Sequence, residues 1–168
     1  MPNPAPTATW QSLRMLSLTL AGAPVVILVA LATILGPQER AFEPPLWALA
    51  APLALAVVAL ALVSAVGYRT AAIDPTVPTE EARTTAAARF QSLTILRFTL
   101  VDAVFIVSIA LAFVVDHGGL AVTVVGAALS EVLIWMHVVP NPAQLQKVQA
   151  ALGARGAAVS LREALQAP

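Results

Sequence analysis

Cysteine is absent from this chain, which removes disulfide staples, thiol redox chemistry and Cys-ligated metals or clusters. Charge is scarce as well. Only 11% of the 168 residues are charged and the formal net charge is zero, so no basic excess argues for nucleic acid. Four long runs nearly free of charge leave no room for a soluble catalytic domain. With no nucleophile motif, metal triad or phosphate-binding loop in sight, the chain is expected not to be an enzyme. What is abundant is apolar surface: 59% of residues are hydrophobic and the mean hydropathy is +0.85, against about 45 to 50% apolar usage in soluble domains.

The four runs cover residues 10–35, 46–68, 92–115 and 120–139. Each can cross a hydrocarbon core of about 30 Å, which takes roughly 20 helical residues. The expected fold is an all-α membrane protein with four transmembrane helices in two tandem hairpins, followed by a short amphipathic C-terminal helical tail. Residues 1–9 are rich in Pro, Ala and Thr without charge and are expected to be unstructured. Ala30-Leu31-Ala32 resembles a signal cleavage site, but no positive segment precedes the run and the run is too long, so it is read as a retained span. Gly22 and Pro24 loosen this first helix, which a bundle tolerates. Trp47 and Tyr68 flank the second span, where amphipathic rings prefer the headgroup level.

Thr79 can cap a helix whose first residues, Glu80 and Glu81, suit its positive end. The third helix is therefore expected to extend at its cytoplasmic end from about residue 80. That gives about 36 residues, or roughly 54 Å, with some three turns outside the bilayer. Residues Thr84 to Ala88 in this projection are all small. Residues 140–168 form the tail. There Asn141 is a cap and Pro142 a first helical residue. Leu145, Val148 and Leu152 share a face, with Gln144, Gln146 and Lys147 off it and Gly153 closing the helix. Ser160 and Glu163 have capping-box spacing and open a second short helix. The tail is expected against the membrane surface or the bundle rather than on a partner.

Trp10-Gln11-Ser12-Leu13 and Phe90-Gln91-Ser92-Leu93 match at an offset of 80, and the match runs on through Leu16/Leu96, Thr19/Thr99 and Ala30-Leu31-Ala32/Ala110-Leu111-Ala112. This suggests an internal repeat of two parallel-related hairpins. In a two-hairpin topology, Arg14, Arg69, Arg83, Arg89, Arg97, Lys147, Arg155 and Arg162 lie on one side, and Arg40 alone on the other. The asymmetry places both termini in the cytoplasm.

The chemistry centres on two carboxylates, Asp102 and Glu131, each within an apolar run and equally far from the turn Asp116-His117-Gly118-Gly119. In an antiparallel hairpin they share one depth. A charge there costs a few kcal/mol or more, so it should be paired, protonated or wetted. Arg97 lies nearer the cytoplasmic face, within reach across the hairpin, and His137 is nearly level with it. Thr99 and Ser130 supply neighbouring hydroxyls. The simpler reading is a structural polar clasp of Arg97, Asp102 and Glu131, which fixes helix register in a non-enzymatic bundle or accessory subunit. The alternative is a proton- or cation-coupled translocator that uses the acid pair, with His137 as relay. Thr123, Gly126, Ala127 and Ser130 form a small-residue stripe expected to serve packing within the chain. His117 and His137 fall at opposite ends of their hairpin and cannot ligate one metal or haem, so no metal or other cofactor is expected. The expected partners are the lipid bilayer and a homo-oligomer or larger membrane complex.

A mid-membrane carboxylate on the second helix of a duplicated hairpin resembles the proteolipid (c) subunits of rotary ATPases, which implies an ion-carrying role for Glu131. Those hairpins carry close-set glycines, whereas the third run here has none. The pattern Arg97-x-x-Leu100-x-Asp102-Ala103, with Val139-Pro140 leading to an amphipathic tail, resembles small four-helix integral membrane proteins of bacteria whose function is uncharacterised. That resemblance implies a multi-pass protein of the bacterial inner membrane.

Overall fold

The computed structural model describes residues 10–38, 40–157 and 159–166. The expectation for residues 1–9 lies outside them. The described chain forms six helices: α1 (Trp10–Leu35), α2 (Leu46–Val66), α3 (Thr79–Ala112), α4 (Gly119–His137), α5 (Pro142–Leu152) and α6 (Leu161–Gln166). The first four are long and apolar enough to cross a membrane. The molecule is a multi-pass, all-helical membrane protein.

α1 keeps the expected limits and runs through Pro24 without a break. α2 stops two residues early, at Val66, because Gly67 takes the capping position with its N–H on Val63 O. α3 spans 34 residues, about 51 Å at 1.5 Å per residue, so it overshoots the hydrocarbon core at its first end. Thr79 does not cap it. Pro78 holds the capping position, and no side chain bonds the free N–H groups there. α4 ends at His137, and Val138 and Val139 both turn their N–H groups back to Ile134 O.

α3 and α4 form the tightest antiparallel pair, and α2 packs on both of them. α1 lies mainly along α4. The first two helices thus rest on the second hairpin more than on each other, and the repeat read from sequence has no counterpart in the packing. At one end the two tight turns interlock. Gly118, at φ 78°, leaves no room for a side chain: a Cβ there would lie 2.2 Å from the Pro44 backbone. Ala121 N–H bonds Ala41 O at 3.2 Å, and the His117 ring bonds Glu43 O.

At the opposite end the tail folds back on the projecting part of α3. Ala82, Ala86, Ala87 and Phe90 meet Val148 and Leu152 of α5 and Leu161, Ala164 and Leu165 of α6, with Leu13 of α1 and Ile73 of the 2–3 connection completing the cluster. The small residues of the projection let the tail approach closely. Asn141 caps α5 as expected, accepting from Gln144 N–H at 2.9 Å, and Ser160 Oγ accepts from Glu163 N–H at 3.3 Å. The buried stripe of α5 is rotated by one residue from the expected one. Gln144, Val148 and Leu152 face inward and Leu145 is only partly buried. The reason is that Gln144 Nε2 donates to Met136 O at 3.1 Å, satisfying a carbonyl in the last turn of α4.

Candidate functional site in the third and fourth helices

The α3–α4 seam is close because of the small-residue stripe. Thr123, Gly126, Ala127 and Ser130 are all buried, and the stripe serves packing within the chain. A Cβ on Gly126 would lie 2.1 Å from Ser108 Oγ. One level further in, Ser130 Oγ donates to Val101 O at 3.2 Å. This bond sets the register and brings the next residue of each helix, Asp102 and Glu131, to one depth, as their spacing from the turn requires.

Neither acid is fully inside the bundle, although Glu131 Oε1 is itself buried. Val101 and Ser130 have 0% exposure, whereas Asp102 and Glu131 beside them are half-buried, and Ala103 and Val132 on their far sides are exposed. The pair therefore sits on the rim of the seam, where each helix passes from its buried face to its lipid-facing one. The expected hydroxyl partners are engaged elsewhere: Thr99 Oγ1 donates to Ile95 O at 3.1 Å and Ser130 to Val101 O. Glu131 Oε1 has no hydrogen-bond partner among the described residues.

Arg97 does not join them. The ion pairs among the described residues are Arg40–Glu43, Arg83–Glu80 and Arg83–Glu163, all outside the apolar spans. Five residues separate Arg97 from Asp102, and at about 100° per residue the two side chains leave α3 about 140° apart. Asp102 goes to the rim and Arg97 to the interior, with 0% exposure. There Arg97 Nε donates to Leu93 O at 3.2 Å and Nη2 to Thr94 Oγ1 at 2.9 Å, while Nη1 has no partner. Its guanidinium carbon stands 4.8 Å from the Tyr68 ring centre and 5.5 Å from that of Phe90.

Tyr68, read from sequence only as an interface ring, is the hub of this inner cluster. Its hydroxyl bonds His137 Nδ1 at 2.9 Å, and Lys147 Nζ lies 4.7 Å from its ring centre. His137 is thus tied to Tyr68 rather than to the acids, and its Nε2 is buried without a partner. Among the described residues no carboxylate pairs with Arg97 or Lys147. A helix C-terminus does part of that work instead: α2 ends beside Arg97, whose Cγ would lie 2.8 Å from a Cβ on Gly67. Such a terminus carries about half a negative charge, and a desolvated cation over an aromatic face gains roughly 2 kcal/mol. The sequence held one signal for this arrangement. Phe90, Thr94 and Arg97 are spaced at i, i+4 and i+7, which puts them on one face of α3.

Among the described residues no three His, Asp or Glu side chains are grouped as metal ligands. In comparisons with known proteins, no family model, curated protein or solved structure matches this chain. Its class is that of a small multi-pass membrane protein with four apolar spans and a tail packed on one end.

Proposed function

We propose that the chain is a non-enzymatic accessory subunit of a larger bacterial inner-membrane assembly, in which Asp102 and Glu131 clasp a neighbouring membrane chain. The polar clasp expected within the chain becomes one between chains. The observation that carries this reading is the level acid pair on the rim of the α3–α4 seam, without a counter-charge among the described residues. A carboxylate facing hydrocarbon costs about 3 kcal/mol, and a neighbouring helix that supplies donors recovers it. Exposed Ala103 and Ala128 beside the acids leave space for such a helix to approach closely.

Both termini are assigned to the cytoplasm, because eight of the nine Lys and Arg residues lie toward the end that carries the tail. An impermeant thiol reagent on intact cells should label a cysteine placed at Gln38 and spare one at Gln146; the opposite pattern reverses the orientation.

The size of the complex extracted from native membranes in mild detergent tests the functional reading. Wild type should run as more than one chain, and the Asp102→Leu/Glu131→Leu double variant should run as a folded single chain. A wild-type monomer, or a double variant that stays assembled, defeats the proposal. The alternative of a proton- or cation-coupled translocator gains instead if the purified chain carries flux in liposomes that Glu131→Gln abolishes.

A further inference from the structure

A cleft of about 730 Å³ opens between the start of α1, α5 and the α6 segment. This is within the range of about 300 to 1,000 Å³ that holds a small organic ligand. Its walls include Trp10, Leu145, Leu161 and Leu165, and Gln146 and Arg162 stand among its polar groups. The flanking helices fix its depth. Trp10 is the first residue of the α1 span, and Pro142 begins α5 five residues after α4 ends, so the cleft lies where apolar spans give way to the aqueous side. An aromatic ring at this level is typical of the headgroup region.

The charge of this end is one-sided. Eight of the nine Lys and Arg residues lie toward it, against Asp74, Glu80, Glu81 and Glu163. Glu80 and Glu163 are both engaged by Arg83, while Arg162 has no ion pair among the described residues. The remaining polar lining is committed to structure: Gln149 holds the α5–α6 connection through Val159 O and Leu161 N–H. Arg162 and Gln146 are left to meet a ligand.

We propose that this cleft holds one anionic phospholipid, with its phosphate at Arg162 and Gln146 and its acyl chains running past Trp10 and Leu145 into the bilayer. A free inorganic anion would leave the apolar walls unused. A lipid uses both parts of the cleft, and a basic residue near the membrane surface favours an anionic headgroup about fivefold.

The test uses Trp10 fluorescence in the otherwise intact chain with Trp47→Phe and Trp135→Phe, both exposed positions in the parent. Brominated phosphatidylglycerol or phosphatidylcholine is titrated into detergent micelles holding the protein. Phosphatidylglycerol should quench at about fivefold lower concentration than phosphatidylcholine, and Arg162→Ala should erase the difference with thermal unfolding unchanged. Inorganic phosphate should not displace the lipid. Equal quenching by the two lipids, a preference that survives Arg162→Ala, or displacement by phosphate would overturn the proposal. So would binding that emerges only after residues 1–9 are removed, because the chain's own N-terminus would then be the occupant.

Discussion

In α4, 50% of the most apolar stretch is buried within the bundle, against 17% in α2 and 22% in α1, although α4 is the least hydropathic of the four spans. In water the most apolar helix would take the centre. In a bilayer, lipid tails solvate Leu and Val as well as another helix does, so apolarity does not select the central position. Small and hydroxylated residues do. α4 has Thr123, Gly126, Ala127 and Ser130 on its buried face, whereas α2 carries Leu53, Val57, Val58, Leu60 and Leu62 outward as lipid-facing surface. The α3–α4 hairpin is the core, and α1 and α2 are its apolar neighbours.

Glycine gives the largest expected contrast between these regions. Gly126→Leu must push Ser108 and the α3 backbone away, because even a Cβ would lie 2.1 Å from Ser108 Oγ. Overpacking of this kind should cost about 3 kcal/mol. A Cβ on Gly22 in α1 would meet nothing within 4 Å, so Gly22→Leu should leave stability within about 0.5 kcal/mol, or raise it through better helix propensity. Reversible unfolding of both variants in bicelles would read the difference. Equal losses would mean that α1 is packed as closely as α4.

The smallest contrast is outside the membrane. Asp74, in the 2–3 connection, is held below the usual carboxylate range by the Thr76 backbone N–H and then by the Thr76 hydroxyl; these bonds measure 2.9 and 2.7 Å. A depressed folded value means that the turn's contribution is present above the unfolded value of about 3.9. It is lost as pH falls through the folded value. The Thr76 amide resonance should therefore titrate with a midpoint below 3.9 (about the free Asp value), and Asp74→Asn should abolish the transition. A midpoint at the free value would show that the turn does not hold the ionised form.

Much of this architecture is legible in the sequence, because its signals are local or follow from depth alone. Charge-free runs give the spans, Asn141-Pro142 gives the break before α5, and equal distances from the Asp116–Gly119 turn give the common level of Asp102 and Glu131. Which way a side chain leaves its helix is harder to read. The clasp expected from depth required Arg97 and Asp102 to converge, but their separation of five residues sends them apart. Tyr68 and Lys147 join Arg97 only because the end of α2 and the beginning of the tail meet at one end of the bundle. No short-range pattern encodes that meeting. Gln144 shows the same limit on a smaller scale: its polarity argued for an outward position, and an unsatisfied carbonyl at Met136 draws it in.

The central claim is that the buried cation and the rim acids belong to separate groups, and a double-mutant cycle tests it most directly. Unfolding free energies are measured in bicelles for wild type, Arg97→Met, Glu131→Gln and the combined variant. The separation predicts that Arg97→Met costs about 2 kcal/mol through its lost aromatic contacts, equally with Glu or Gln at position 131. The coupling energy should lie within about 0.5 kcal/mol of zero. A favourable coupling of about 1.5 kcal/mol or more would contradict it, showing that Arg97 neutralises Glu131 within the chain.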